Sequence, residues 1–299
     1  MIEEVDNMKL GAIEAGGTKF VVAIGDENGN VEKRASFPTT TPEETMAEVY
    51  HFFDNTDIDA LGIGTFGPID PDKNSPTYGY ITTTPKPFWA NYNMLGDLKK
   101  RYNIPMGFDT DVNGAALGEL QFGVARGLDS CLYLTFGTGV GGGAIVEGKL
   151  VHGLLHPEMG HIKLIRHPND TYQGHCPYHH DCLEGLAAGP AIEERWGKKG
   201  IELPSDHEAW DMEAYYIGQA LATFILTLSP KKIILGGGVM KQRQLFPMIR
   251  RYTLEFLNGY IQKDELISHI DEYIVWPGLE DNAGICGALA LAKMAYDEK

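Results

Sequence analysis

The chain has 299 residues, enough for two domains with an ample core in each. Its 41 acidic side chains against 25 basic ones give a formal net charge of −16, and the basic residues gather only in short runs such as Lys99-Lys100-Arg101 and Lys231-Lys232; nucleic acid needs a clustered basic face, so no nucleic-acid partner is expected. No apolar run reaches about 18 residues, so no membrane span is expected either.

The opening M-I-E-E-V-D-N-M-K is acidic and lacks an apolar h-region, which argues against a signal peptide and for a cytoplasmic protein. Leu10–Ala15 reads as a strand, Gly16-Gly17-Thr18 as its turn and Phe20–Gly25 as the return strand. Asp26–Asn30 is a second hairpin turn, and Val31–Phe37 closes a β-meander. Pro42–Phe53 has helical spacing, with Met46, Val49, Tyr50 and Phe53 on one face and Thr41 as N-cap. Ala60–Gly64 is a short apolar strand. Asp70–Tyr92 shows no sustained period, yet its aromatics (Tyr78, Tyr80, Phe88, Trp89 and Tyr92) argue for an ordered loop with a function. Met94–Arg101 reads as helix, Met106–Asp109 as extended chain, and Asn113–Phe122 as helix with Asn113 as N-cap.

Leu132–Gly143 is a second strand and turn, with a return strand that reaches Leu150 past a turn at Glu147-Gly148. This repeats the first meander roughly 120 residues on, which points to a duplicated α/β domain with a ligand between the copies. His152–Asp181 is rich in His, Pro and Gly and reads as irregular. Glu184–Trp196 and Trp210–Leu228 read as helices, the second ended by Ser229-Pro230. Lys232–Leu235 is a strand running into Gly236-Gly237-Gly238, Gln244–Leu257 an amphipathic helix, Tyr273–Pro277 a strand and Ala283–Tyr296 a closing helix.

Three glycine turns each follow an apolar strand: Gly16-Gly17-Thr18, Gly137-Thr138-Gly139 and Gly236-Gly237-Gly238. Without Cβ atoms their backbone N–H groups can converge on a phosphate; a tight hairpin is the alternative for each alone. None matches the P-loop or the dinucleotide fingerprint, so a different phosphate-binding architecture is implied. Asp109 and Asp111 share one face of an extended segment. Asp111 lies just ahead of a helix, whose dipole keeps a carboxylate ionised, and such a group can accept the proton of a sugar hydroxyl as it attacks phosphorus. Capping the helix is its alternative role. Cys176, His179 and Cys182 form C-x-x-H-x-x-C, with His161 upstream and His175 and His180 as further candidates. Sulfur with imidazole is the usual zinc set, and four protein ligands would make that zinc structural. Glu158 and Glu184 flank this loop and could be held toward a polyol.

The pieces E-A-G-G-T-K (Glu14–Lys19), G-T-F-G-P-I-D (Gly64–Asp70), D-T-D-V-N-G-A-A-L-G-E (Asp109–Glu119), T-F-G-T-G-V-G-G-G (Thr135–Gly143), H-P-E-M-G-H-I (His156–Ile162), C-L-E-G-L-A-A-G-P (Cys182–Pro190) and L-G-G-G-V (Leu235–Val239) run in order along nearly the whole chain. Together they resemble the ROK family of sugar kinases and repressors. Ser75–Tyr92 resembles that family's bacterial fructokinase branch. The resemblance implies an α/β fold of the actin-like ATPase (hexokinase) type, with two duplicated domains and an interdomain cleft. The expected small domain is 1–118, completed by the C-terminal helix 283–299; the expected large domain is 119–282, carrying a zinc loop at 156–184.

By the same resemblance Asp111 is the catalytic base. Gly16, Gly17, Thr18 and Thr138 contact the ATP phosphates, with Lys19 and Gly139 in the same ATP-binding set. Pro190 and Gly237, with their neighbours Gly236, Gly238 and Lys241, lie near the nucleoside. Thr110, Asp111, Glu158, His161 and Glu184 match sugar-site positions, and His161 also matches the zinc ligand that joins Cys176, His179 and Cys182. The family commonly has Asn-Asp where this chain has Thr110-Asp111, and its cysteine loop C-x-C-G-x-x-G-C is one residue shorter here, with His179 in place of a cysteine. The expected function is ATP- and Mg2+-dependent phosphorylation of a hexose, D-fructose at its 6-hydroxyl, by a zinc-bearing homodimer. The alternatives are a kinase for glucose, mannose or N-acetylmannosamine, or a non-catalytic sugar-sensing regulator. A repressor is disfavoured, since a DNA-binding helix-turn-helix has no room before Lys9.

Overall fold

The computed structural model describes residues 8–299, so the expectations placed on the first seven residues lie outside it. By their contacts the residues fall into two units. The first runs to Gly127 and also takes Leu150–Pro157 and Gly278–Lys299; the second comprises Leu128–Lys149 and Glu158–Pro277.

The first unit is built on β1 (Leu10–Ala15), β2 (Lys19–Gly25), β3 (Val31–Pro38), β4 (Ala60–Thr65) and, after the short pair β5 (Tyr80–Ile81) and β6 (Tyr92–Asn93), β7 (Met106–Thr110). The sheet order is β3-β2-β1-β4-β7. The meander is antiparallel, whereas β1, β4 and β7 run parallel, so their carboxyl ends lie along one edge. Both faces of the central strands are covered, which is why β1 and β4 are almost continuously apolar. Edge strand β3 is instead largely exposed and carries Glu32, Lys33 and Arg34, charges that discourage pairing with another chain.

One face packs on α1 (Pro42–Phe53) and α2 (Met94–Arg101) through a core that includes Ile13, Phe20, Val49, Phe53, Ile63 and Leu98. Thr41 caps α1 as expected, its hydroxyl accepting the Glu44 N–H at 3.3 Å. The other face packs on the C-terminal helix (Ala283–Asp297). Small residues allow this: a Cβ on Gly62 would fall 1.8 Å from the carbonyl oxygen of Ala288, and one on Gly287 1.8 Å from that of Gly114. Trp89, fully buried, fastens the long loop between β4 and α2. Its indole N–H donates to the Thr40 carbonyl at 2.7 Å, and its ring packs on Phe20, Phe66 and Tyr92.

The helix after β7, α3, spans Asp111–Gln121 and so starts before Asn113. Thr110 is its N-cap: the backbone there is still extended, and its hydroxyl accepts the Asn113 N–H at 3.1 Å.

The second unit repeats the plan. Its strands are β8 (Cys131–Phe136), β9 (Val140–Val146), β10 (Lys149–Leu150), β11 (Ile233–Gly236) and β12 (Ile274–Val275), in the order β10-β9-β8-β11-β12. Its helices are α4 (Leu183–Ala187), α5 (Gly189–Trp196), α6 (Ala209–Leu228) and α7 (Leu245–Leu257), followed by the one-turn α8 (Asp264–Ile267) and α9 (Ile270–Tyr273); the C-terminal helix is α10. The single helix expected over Glu184–Trp196 is thus two. Ala188 is extended, and Pro190, which lacks an N–H and would clash with a preceding helical turn, sits in the first turn of a new helix instead. Among the described residues no helix is long and apolar enough to cross a membrane.

Candidate functional site

In the first unit the carboxyl edge of the sheet gathers the charged groups. The β1–β2 turn is closed by the Gly16 N–H to the Lys19 carbonyl at 3.0 Å, and Thr39 ties it down through its hydroxyl to the Gly16 carbonyl at 2.7 Å. Gly17, Thr18 and Lys19 are left exposed. Asp111 opens α3, with Oδ1 accepting the Val112 N–H at 2.9 Å. Part of its surface meets solvent, yet the carboxyl lies deep enough that burial lifts it to about 6, against the pull of that backbone hydrogen bond. Glu14, on β1, is pushed further, to about 7, first by burial and then by the charge of Asp111. Its Oε2 is buried with no hydrogen-bond partner among the described residues. Thr110 is 2% exposed, and its hydroxyl oxygen is engaged in capping α3.

Asp109, the other carboxylate of the D-T-D run, lies on this edge too and is buried. Its Oδ1 accepts the Thr110 N–H and the Asn113 amide, each at 2.7 Å, and its Oδ2 pairs with His152 Nε2 at 2.8 Å. That contact draws the His152 imidazole upward from its usual pKa. His156, on the same segment, accepts the Ile69 N–H on Nε2 at 3.1 Å, and burial holds its pKa below the ordinary value. Neither histidine shows a local sequence signal, because each partner lies far off in the chain.

The second unit holds a cavity of about 520 Å³ that joins several of the residues read from the sequence: Gly137 and Thr138 from the β8–β9 turn, Gly189 and Pro190 from α5, and Gly238 and Lys241 after β11. Its apolar wall, Ile192, Ile201, Trp210 and Val239, with Lys199 and Gln242 at the side, had no sequence signal beyond composition. Gly237 has φ +90°, and a Cβ there would fall 2.4 Å from the Phe136 carbonyl oxygen, so the strand-end turn requires glycine. Gly236 is buried at the end of β11. Glu184 reaches the phosphate-type turn directly: its Oε2 accepts the Val140 N–H at 3.0 Å and fills the space that a Cβ on Gly139 would need. Exposed Glu158 lies just ahead of the turn Met159–His161.

The Cys/His loop closes on itself. Ligand atoms of His161, Cys176, His179 and Cys182 all lie within 4.8 Å of one another. Cys176 Sγ is 3.7 Å from Nδ1 of both His161 and His179, and Cys182 Sγ is 3.6 Å from His161 Nδ1. A tetrahedral zinc with ordinary Zn–S and Zn–N bonds has S···N edges of about 3.6 Å, so the donor set and its spacing fit that ion. The fit includes His179 in the cysteine's place. The loop is wound tightly: the His180 N–H donates to the Cys176 carbonyl at 2.9 Å, and a Cβ on Gly185 would fall 1.7 Å from the His180 carbonyl oxygen. His175 and His180 stand outside the cluster.

Comparison with known proteins agrees with this geometry. A relative from Bacillus subtilis (strain 168) is 58% identical over 286 residues, covering 96% of each chain. The fructokinase of Pediococcus pentosaceus is 52% identical over 288 residues, covering 96% of this chain and 99% of its own. Among solved structures, the ROK family glucokinase of Streptomyces griseus in complex with glucose and AMPPNP superposes with a TM-score of 0.76 at 24% identity, covering 96% of this chain and 99% of that one. The fold is the actin-like, hexokinase-type α/β fold, present here as two sheets of matching order. The ROK family profile matches residues 10–295, which takes in both sheets, the glycine turns and the Cys/His loop, and the chain belongs to the ROK family.

Proposed function

We propose that this protein is an ATP-dependent hexose kinase that phosphorylates D-fructose to D-fructose 6-phosphate. The observation that carries the substrate is the 52% identity, over nearly full length, to a fructokinase. Asp111 is the general base. Its carboxylate accepts the proton of the sugar 6-hydroxyl while that oxygen bonds to the γ-phosphorus of ATP and the bond to the β-phosphate oxygen breaks, leaving ADP. A carboxyl at about 6 is mostly ionised at neutral pH and still basic enough to take a proton, which suits that task.

Gly16, Gly17, Thr18 and Lys19 in the first unit, and Thr138 and Gly139 in the second, bind the phosphates through backbone N–H groups and side chains. Mg2+, when bound with ATP, supplies charge neutralisation on the transferring group. The apolar cavity beside Pro190, with Gly236, Gly237, Gly238 and Lys241, receives the nucleoside. Thr110, Glu158, His161 and Glu184 bind the sugar. His161, Cys176, His179 and Cys182 hold a structural zinc, which keeps the segment carrying Glu158 and Glu184 rigid. The working assembly is a homodimer in the cytoplasm.

The test is ADP release with Mg-ATP and fructose, glucose, mannose or N-acetylmannosamine. A kcat/KM for fructose at least about tenfold above the others, about 1.4 kcal/mol of transition-state discrimination, supports the assignment. A preference for another hexose overturns the substrate and keeps the kinase. No turnover with any of them, in zinc-loaded protein, points to the sugar-sensing regulator.

A further inference from the structure

Segment Leu150–Pro157 belongs to the first unit although it comes after β9 and β10 in the chain. It is fastened at two points on the carboxyl edge of the first sheet. His156 takes the Ile69 N–H just past the end of β4, and His152 meets Asp109 next to the end of β7. Ligands of open α/β sheets bind outside the carboxyl ends of parallel strands. Asp111, the proposed base, starts at that same end of β7, two residues beyond Asp109.

The two histidines differ in what they leave available. The His156 ring is pressed against Gly67, where a Cβ would fall 3.2 Å from it, and its Nε2 is spent on a backbone amide. The His152 side chain keeps 36% of its surface, while its partner Asp109 keeps 3%. Nε2 of His152 donates to that buried carboxylate, with the Asn113 amide 3.4 Å away, and Nδ1 has no partner among the described residues. Asp109 is itself fixed by the Thr110 N–H and the Asn113 amide. A buried carboxylate orienting an imidazole whose other nitrogen faces outward is an arrangement for presenting one polar atom in one direction. The chain just beyond is an open turn, with Leu154 98% exposed, so the ring is not held there to fill a core.

We infer that His152 is a substrate-binding residue of this kinase, presenting Nδ1 to an oxygen of the hexose and helping to decide which hexose is accepted, with Asp109 as its positioning residue. The inference rests on the proposed hexose kinase activity and adds a sugar contact from a segment outside the assigned set. A hydroxyl suits Nδ1 in either state of the ring, since Nδ1 donates when the imidazole is charged and accepts when it is neutral.

The test compares wild type, His152→Ala, Asp109→Asn and Leu154→Ser in the same hexose panel. KM for sugar, KM for ATP, kcat and Tm are measured, together with calorimetric hexose binding in the presence of ADP. His152→Ala is expected to raise the KM and the dissociation constant for the preferred hexose by about 10- to 100-fold, the loss of one hydrogen bond from a charge-assisted donor. KM for ATP and Tm should stay nearly unchanged. Asp109→Asn should show a smaller shift of the same kind, and Leu154→Ser none.

An unchanged sugar KM overturns the inference. So does a parallel rise in the KM for ATP, or an equal effect from Leu154→Ser, because either would mean that the fastening of the segment matters and the imidazole does not. If wild type prefers a hexose other than fructose, the fructose assignment falls and the His152 ratio is read on the preferred sugar. If wild type neither binds nor phosphorylates any hexose, His152 has no such role.

Discussion

In the first unit the β1–β2 turn is closed by its own backbone and by Thr39. In the second, the equivalent β8–β9 turn is held by a side chain from a helix, Glu184, through the Val140 N–H. The strands around both turns have the same order and directions. Beyond the meanders the two units diverge. Past the fifth strand of the first sheet comes Asp111, with Asp109 and Glu14 nearby on the same edge. The fifth strand of the second sheet is only two residues long, and that unit instead carries an apolar cavity and a Cys/His cluster. A meander and a glycine turn are backbone devices and survive duplication in both copies. Carboxylates, thiolates and imidazoles are side-chain devices, and here each copy holds a separate set.

If the chemistry is confined to the first unit, removing its base should have the largest effect. Asp111→Asn is expected to lower kcat by about 10²–10⁴-fold while leaving fructose and ATP binding largely intact. A residual rate above about a tenth of wild type would take the role of base away from Asp111 and dissolve the contrast between the units.

Next in size is the loss of the second unit's metal cluster. Cys176→Ser or His179→Ala should reduce bound zinc well below one ion per chain, read by elemental analysis. It should also lower Tm by roughly 5–10 °C, a few kcal/mol for a chain of this size. An unchanged Tm in a zinc-free variant would remove the structural role and leave the tight winding about His180 to hold the loop alone.

A smaller effect comes from pH. Because Asp111 acts ionised and its carboxyl is lifted to about 6, kcat/KM should fall about tenfold per unit as pH drops below 6, and the inflection should be absent in Asp111→Asn. Stability runs the other way. The folded state favours the protonated carboxyl, so that contribution is complete below about 3.8 and is lost as pH rises through 6. Asp111→Asn should therefore be more stable than wild type at pH 8, by on the order of 1 kcal/mol after allowance for its partial exposure, and no more stable at pH 3. Thermal melts at the two pH values check this.

The smallest effect concerns the loop fastened by Trp89. Phe88 has φ +72° and is 75% exposed, a left-handed backbone that an aromatic residue adopts only at a cost of about 1–2 kcal/mol. Phe88→Gly recovers that cost less glycine's own entropy, a net gain of about 0.5–1 kcal/mol in a denaturant melt. A loss of stability instead would mean that the exposed ring packs against something in solution.

The strands, the meanders and the cap at Thr41 are legible in the sequence because each depends on residues a few places apart. The start of α3 is ambiguous there since both Thr110 and Asn113 are good caps, and the extended backbone at Thr110 decides between them. The break at Ala188 is hidden because Glu184–Trp196 is helical in composition throughout, and only the proline marks it. The zinc quartet is readable from its spacing, and its fourth member, His161, from family likeness. The cavity wall at Lys199–Ile201, Trp210 and Gln242 is not readable, since apolar and polar residues of that kind occur all along the chain. The Asp109–His152 pair is out of reach for another reason: it exists only once a distant segment returns to the end of β7.

The C-terminal helix also shapes how the protein is made. It supplies one complete face of the first unit's core, with Ile285, Ala288, Leu289 and Ala292 against Leu10, Ala12 and Ala60. The ribosome thus releases the opening strands long before the helix that covers them, and the whole second unit is synthesised in between. During that interval an apolar sheet face stands open, and association with other nascent chains competes with waiting for α10. The second unit has its own elements in hand sooner and can fold while the first is still incomplete, so a chain stopped before Ala283 would be expected to keep the cavity and the Cys/His loop yet aggregate through its oldest strands.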